Sequence, residues 1–387
     1  MTAFWRICLL TFTISFAGCS EAFCQSGQFS GLEAQAGIGK MLPIFPNFPE
    51  TSSAYSFLLA TRFNSTSHWD SLYHRPTTGL ALAFHDFGND EILGHGVTLQ
   101  YYFRFNKEIN EKWEWSPAIF MGASWFDRPY HYLDHRDNLT VGNAFSFFMS
   151  VDTRIEYSLN SNWKMYSGFT FLHSSNSHTA LPNYGINIPQ VYLGAAYQFN
   201  KNKSVNDSRD ALAGLRNDWQ FGARFGLGHY ELGGSGTPTN GPTYFVYGLS
   251  LLARKNSGNI GYWTFSLEGS FNRGTETYLE LLEEDPQVID ASALIAYAGH
   301  EFMYGRFGLL TQVGFNIYNP GLKKWIETTT DEAPMDQIKK FVPGRFGANF
   351  YLNQPYHSPK WNAFIGLHIK SKLFQADYLD TVVGFTF

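Results

Sequence analysis

The sequence predicts an all-β protein, a transmembrane antiparallel up-and-down β-barrel, on three observations. Apolar and polar residues alternate along segments of about 11–15 residues, roughly twice the length of an ordinary globular strand. The polar side of these segments carries Arg, Glu, Lys and Asp in mid-strand, which suits a wet lumen better than the outer surface of a sandwich. The chain of 387 residues is 44% hydrophobic and 18% aromatic but only 16% charged, with 36 Gly, 36 Phe and 22 Tyr, as strands with one apolar face require.

About 16 segments can be traced. They begin near residues 29, 53, 77, 94, 112, 143, 162 and 187, then near 218, 243, 259, 292, 306, 341, 359 and 376. In VTLQYYFRFN (97–106), Val97, Leu99, Tyr101, Phe103 and Phe105 share one face and Thr98, Gln100, Tyr102, Arg104 and Asn106 the other. The split recurs at 145–157, 219–227, 263–271, 307–317 and 361–369. Short turns such as NSN (160–162) and MYG (303–305) alternate with longer loops at 126–142, 274–291 and 319–340, the expected outer loops. Two links on the opposite side, 65–76 and 200–217, are longer than a turn needs. The second leaves open two eight-stranded barrels, but the even alternation through both halves favours a single barrel of about 16 strands. The final YLDTVVGFTF puts Leu379, Val383, Phe385 and Phe387 on one face and ends on an aromatic, the form outer-membrane barrels present to their assembly machinery.

Other classes are disfavoured. The mean hydropathy of −0.22 excludes a bundle of membrane helices, and past the first 20 or so residues no apolar run nears the roughly 18 a spanning helix needs. A net charge of −5 gives no basic footprint for nucleic acid. There is no phosphate-cradling Gly loop, zinc motif or nucleotide fingerprint, so no cofactor is expected. The opening MTAFWRICLLTFTISFAGCSEAFCQ reads as a signal peptide over 1–24, with the barrel over 25–387. Ala22-Phe23-Cys24 suits ordinary cleavage and Phe16-Ala17-Gly18-Cys19 loosely resembles a lipoprotein box. All three cysteines (Cys8, Cys19 and Cys24) lie in this leader, so neither a disulfide nor thiolate chemistry is expected in the mature chain.

The stretch FLHSSNSHTALPNYGIN (171–187) interrupts an apolar face with polar groups. His173 and Ser175 share the parity of Trp163, Met165, Phe169 and Phe171, so they point to lipid at the end expected to be extracellular. The next segment places Asn187 on its own outward face. A register pairing Ser175 with Asn187, and Trp163 with Phe199, leaves an outer loop at 176–186. A serine becomes nucleophilic when an imidazole accepts its proton, and that imidazole needs a partner to fix its tautomer. Residues i and i+2 on one strand face lie close enough for the first two. Asn176 is the candidate oxyanion donor.

HSSN followed by LPNYGIN resembles the outer-membrane lipid A 3-O-deacylases, PagL-like proteins often labelled acyloxyacyl hydrolases, which carry H-x-S-N and then P-N-x-G-x-acid. The likeness is best over about 143–200, with a weaker likeness of layout across 25–200. It implies a barrel with a Ser-His-acid triad on its lipid face that removes an acyl chain from lipid A. Ser175 would be the nucleophile, His173 the base and Asn176 an oxyanion donor, with Asn187 in the position of the family's acid. His178 and Asn183 would contact the substrate. Lipopolysaccharide, outer-membrane lipids and the assembly machinery are the implied partners, and the bacterial outer membrane the implied location. The alternative is a non-catalytic barrel, a porin-like channel or structural protein, that kept the hairpin and lost the acid. Two further clusters, His131, Asp134, His135 and Asp137, and Glu280, Glu283, Glu284 and Asp285, read as solvated outer loops; no metal site is expected.

Overall fold

The computed structural model describes residues 27–45, 47–65, 68–199, 214–237, 241–258, 260–282, 285–329, 334–373 and 375–387. The expected leader, with its three cysteines, and most of the 200–217 link lie outside them. The described residues fall into two compact units, one holding 27–199 with the segment 233–237, the other holding 214–232 with 242–387.

The first unit is a ring of eight long strands. In chain order its elements are β1 (Gly27–Gly39), β2 (Ala54–Ser65), β3 (Thr77–Asp86), β4 (His95–Arg104), the two-residue β5 (Lys107–Glu108), β6 (Trp113–Phe126), β7 (Phe145–Ser158), β8 (Trp163–Ser175) and β9 (Ile186–Gln198). Each strand pairs antiparallel with its neighbour, β9 bonds back to β1, and β4 meets β6 to close the ring. The second unit holds β10 (Gln220–Glu231), β11 (Thr243–Asn256), β12 (Gly261–Asn272), β13 (Ser292–Tyr304), β14 (Phe307–Tyr318), β15 (Pro343–Tyr351), β16 (Asn362–Lys372) and β17 (Gln375–Thr386), closed by β17 on β10.

The up-and-down antiparallel architecture is therefore as predicted, in its two-barrel form. The favoured single ring of about 16 strands is corrected: β9 hydrogen-bonds to β1 over Gln190–Gln198, so the first sheet closes before the second half begins. Every predicted strand start falls within three residues of an observed one.

Burial follows the alternation. Outward residues such as Leu59, Leu82, Val151, Leu193, Leu251 and Val313 are more than half exposed, and the exposed apolar side chains recur on strand after strand. Leaving each such side chain in water forgoes about 1.5–3 kcal/mol, so this band is the lipid-facing surface. Inside the first ring, the Glu33 carboxylate accepts from Arg62 (2.7 Å), Arg104 (2.8 Å) and Arg154 (2.8 Å), and Arg154 also donates to Glu156 (2.9 Å). The Arg154 guanidinium lies 3.8 Å from the Tyr166 ring centroid. In the second ring Glu268 accepts from Arg345, Lys370 and Ser250, while Glu301 accepts from Asn349 and Tyr351. Eight-stranded rings have just enough interior for side chains, and these paired charges occupy it.

At one end of the first ring lie the connections 87–94, 127–144 and 176–185. In the second unit the long connections fold into helices α1 (Arg273–Leu281), α2 (Pro320–Thr329) and α3 (Pro334–Lys339) where solvated loops were expected. Asn272 caps α1 by accepting from the N–H groups of Gly274 (2.9 Å) and Thr275 (3.1 Å), and Leu279 is buried beneath it. Glu280 stands on α1 and Asp285 beyond it; Glu283 and Glu284 lie outside the described residues.

Candidate active site

The last turns of alternation along β8 set the site. Phe171 faces outward and is exposed, and Leu172 faces inward and is buried. His173 then points outward, Ser174 inward and Ser175 outward. The inward Ser174 hydroxyl lies 2.7 Å from the Phe147 carbonyl and 2.9 Å from Ser124 Oγ, so the strand end is tied on its lumen side while its outer side carries the imidazole and hydroxyl. Because these side chains stand on paired strand backbone, their positions are held by the barrel wall.

The register differs from the one expected. His173 faces Asn187 directly, Ser174 faces Ile186 and Trp163 faces Tyr197, a slip of two residues from the predicted Ser175–Asn187 pairing. A slip of two keeps every side chain on its predicted face. It also improves the chemistry. Asn187 Oδ1 lies 2.7 Å from His173 Nδ1, and His173 Nε2 lies 3.0 Å from Ser175 Oγ. An amide oxygen can only accept, so Nδ1 carries the proton and the Nε2 lone pair faces the serine O–H. This is the tautomer a general base needs. The imidazole is partly buried and Ser175 is 8% exposed.

The connection that follows folds back over this pair. Ser177 (φ 55°) and His178 (φ 67°) both adopt the left-handed conformation, and Thr179 N–H reaches the Asn176 carbonyl (3.2 Å). Gly185 returns at φ 80°, where a Cβ would lie 3.1 Å from the Ser174 carbonyl oxygen and 3.2 Å from His173 Cε1. Only glycine combines that backbone with that closeness. Asn176 is buried: its N–H donates to Asn183 Oδ1 (3.1 Å) and its amide to the Ala180 carbonyl (2.7 Å), leaving one amide hydrogen. Its observed work is to staple the loop.

The two expected substrate contacts turn onto protein. His178 is 6% exposed and its Nε2 donates to the Gly233 carbonyl (3.0 Å). Asn183 is 7% exposed, accepts from Asn176 and donates its N–H to the Ser235 carbonyl (2.7 Å). Both side chains are covered because the loop is roofed by other segments. One roof is 127–144. Gly185 N–H donates to the Thr140 carbonyl (2.8 Å), Tyr184 N–H to the Leu139 carbonyl (3.3 Å), and a Cβ on Gly142 would sit 2.6 Å from the Pro182 carbonyl oxygen. Period-2 alternation carries no sign of these braces; the glycines at 142 and 185 were the available signal.

Within that roof His131 pairs with Asp134 (3.0 Å) and His135 bonds to the Pro129 carbonyl (3.3 Å). Among the described residues the group that does converge is Asp86, Asp90 and His95, with ligand atoms within 4.8 Å of one another. There His95 Nε2 lies 3.5 Å from Asp90 and its Nδ1 3.2 Å from Asp127, so both ring nitrogens already face carboxylates of the rim.

Comparison with known proteins adds a second, separate likeness. Residues 217–328, from just before β10 into α2, match the family model described as acyloxyacyl hydrolase, C-terminal domain. No curated protein matches the chain. Among solved structures, Neisserial surface protein A aligns at 8% identity over 45% of this chain and 99% of its own, with a TM-score of 0.31. The outer membrane enzyme PagL aligns at 12% identity over 42% of this chain and 97% of its own, with a TM-score of 0.29. The COG4313 outer membrane channel from Pseudomonas putida F1 aligns at 9% identity over 92% of this chain and 94% of its own, with a TM-score of 0.20. The family match covers residues 217–328; the likeness of the HSSN hairpin in the first barrel rests on its motif alone.

Proposed function

We propose that the chain is an outer-membrane serine ester hydrolase that removes an acyl chain from lipid A, with Ser175, His173 and Asn187 as its catalytic residues. One observation carries this reading: a serine, an imidazole in the base tautomer and an amide acceptor stand in one hydrogen-bonded line, at 3.0 and 2.7 Å, on the lipid-facing side of a barrel. Ser175 Oγ attacks the ester carbonyl as its proton passes to His173 Nε2. The tetrahedral intermediate collapses when the imidazolium returns that proton to the departing sugar oxygen, leaving an acyl-serine. Water then attacks the acyl carbonyl, His173 takes its proton and passes it to Ser175 Oγ, and the fatty acid leaves. The remaining amide hydrogen of Asn176 is the proposed oxyanion donor. Asn187 orients the imidazole without supplying the charge a carboxylate would.

Residues 1–24 are proposed as the export signal, 25–200 as the catalytic half, and lipopolysaccharide in the outer leaflet as the substrate. Cells expressing the wild-type chain should yield lipid A lighter by one acyl chain in mass spectra, and cells expressing Ser175→Ala should not. Identical lipid A from both would overturn the hydrolase reading. It would favour a non-catalytic barrel, for which the missing carboxylate at Asn187 speaks. The channel version of that alternative called for the wide lumen of a 16-stranded ring, and the two smaller rings are filled by paired charges.

A further inference from the structure

We infer that Gly233–Thr237 is a positioning element for the candidate active site, a clamp on the loop that follows the nucleophile. Its functional meaning rests on the hydrolase reading; the clamp itself does not. In sequence the segment lies between β10 and β11, two strands of the second barrel. In space it belongs to the compact unit of the first.

Three residues of the segment, Gly233, Ser235 and Gly236, engage the 176–185 loop. The Gly233 carbonyl accepts from His178 Nε2 (3.0 Å), and the Ser235 carbonyl accepts from the Asn183 N–H (2.7 Å). Gly236 lies against the Tyr184 ring so closely that a Cβ there would be 2.8 Å from the phenol oxygen and 3.0 Å from Cε2. The segment is itself shaped by the bond from Gly234 N–H to the Thr237 carbonyl (2.8 Å). The coupling to the nucleophile is short. Ser235 fixes Asn183, whose Oδ1 takes the N–H of Asn176 (3.1 Å), and Asn176 follows Ser175 directly in the chain. Both acceptors are main-chain carbonyls, so the clamp depends on the path of the segment and on the donors of the loop more than on its own side chains. His178 is then a positioning residue that seats the loop.

The test uses the full chain in detergent micelles with lipid A. His178→Leu, which removes the donor to Gly233, should lower kcat about five- to tenfold with KM unchanged, the scale of one lost hydrogen bond. His178→Gln keeps an amide donor and should recover most of that loss. If His178 instead binds a substrate phosphate, both variants raise KM and glutamine rescues nothing, which overturns the inference. Hydrogen exchange reads the clamp without the chemistry. Amides of 176–185 should exchange slowly in the wild type and at least tenfold faster in Gly236→Val; equal exchange in the two overturns the clamp. A wild type without Ser175-dependent activity sinks the hydrolase reading alone, and the exchange experiment still decides the clamp.

Discussion

Replacing Asn187 by Asp tests the site at its point of departure from the resembled family. Asn187 Oδ1 already lies 2.7 Å from His173 Nδ1, so Asn187→Asp adds a negative charge without moving an atom. With charge centres roughly 4 Å apart, attraction to the imidazolium formed during attack is about 4 kcal/mol at an effective dielectric of about 20. The imidazole is partly exposed at a membrane rim, so about half of that, near 2 kcal/mol, is the reasonable gain. At 1.36 kcal/mol per factor of ten, kcat should rise roughly 30-fold. The tautomer limits the gain from above. An asparagine that turned its N–H toward the imidazole would enforce the wrong tautomer, at a penalty of about 10⁴ in rate. Here the oxygen faces Nδ1, so that penalty is not incurred and its recovery is not expected. The assay is the initial rate of fatty-acid release from lipid A by purified protein, with the faster gel migration of unheated protein as the control for a folded barrel. An unchanged or lower rate in folded Asn187→Asp means that Asn187 does not hold the base. A gain of a thousandfold or more means that the wild-type amide presents its N–H, and the tautomer argument fails.

Gly185→Val places a branched side chain at φ 80°, within 3.2 Å of the imidazole, and should cost at least tenfold in kcat while the barrel still folds; unaltered kcat would show that the close return of the loop does not seat His173. Glu33→Gln leaves Arg62, Arg104 and Arg154 around a neutral amide and should destabilise the first barrel by about 3–5 kcal/mol in urea-dependent folding into vesicles, with a loss below about 1 kcal/mol counting against the lumen network as its support. Leu193→Arg puts a charge on the exposed face of β9 and should cost about 2–4 kcal/mol in the same titration; a neutral result would place that face away from hydrocarbon.

Much of the fold was legible because alternation is a local signal: each strand states by itself which residues face lipid. Closure is not local. Nothing within β9 reveals that its free edge bonds to β1, some 150 residues earlier, and not to β10, so one large ring and two small ones share the same pattern. The register of β8 on β9 was hidden for a related reason. Pairing His173 or Ser175 with Asn187 leaves all faces unchanged, and the choice is made by the fold of the 176–185 loop. His173, Ser175 and Asn187 were readable as polar intrusions on an apolar face. The burial of His178 and Asn183 was not legible, because 127–144 and 233–237, distant in sequence, cover their loop. Of the helices in the second unit, α1 had a local signal in Asn272, whose side chain caps its start.

The outward aim of Ser175 fixes how such a catalyst would meet its reactant. Encounter happens by sideways diffusion in two dimensions, so velocity would follow the mole fraction of lipid A among neighbouring amphiphiles and not its molar amount in the flask. Adding inert phospholipid or detergent at constant lipid A should slow turnover in proportion, a surface-dilution behaviour that a serine opening into water would not display.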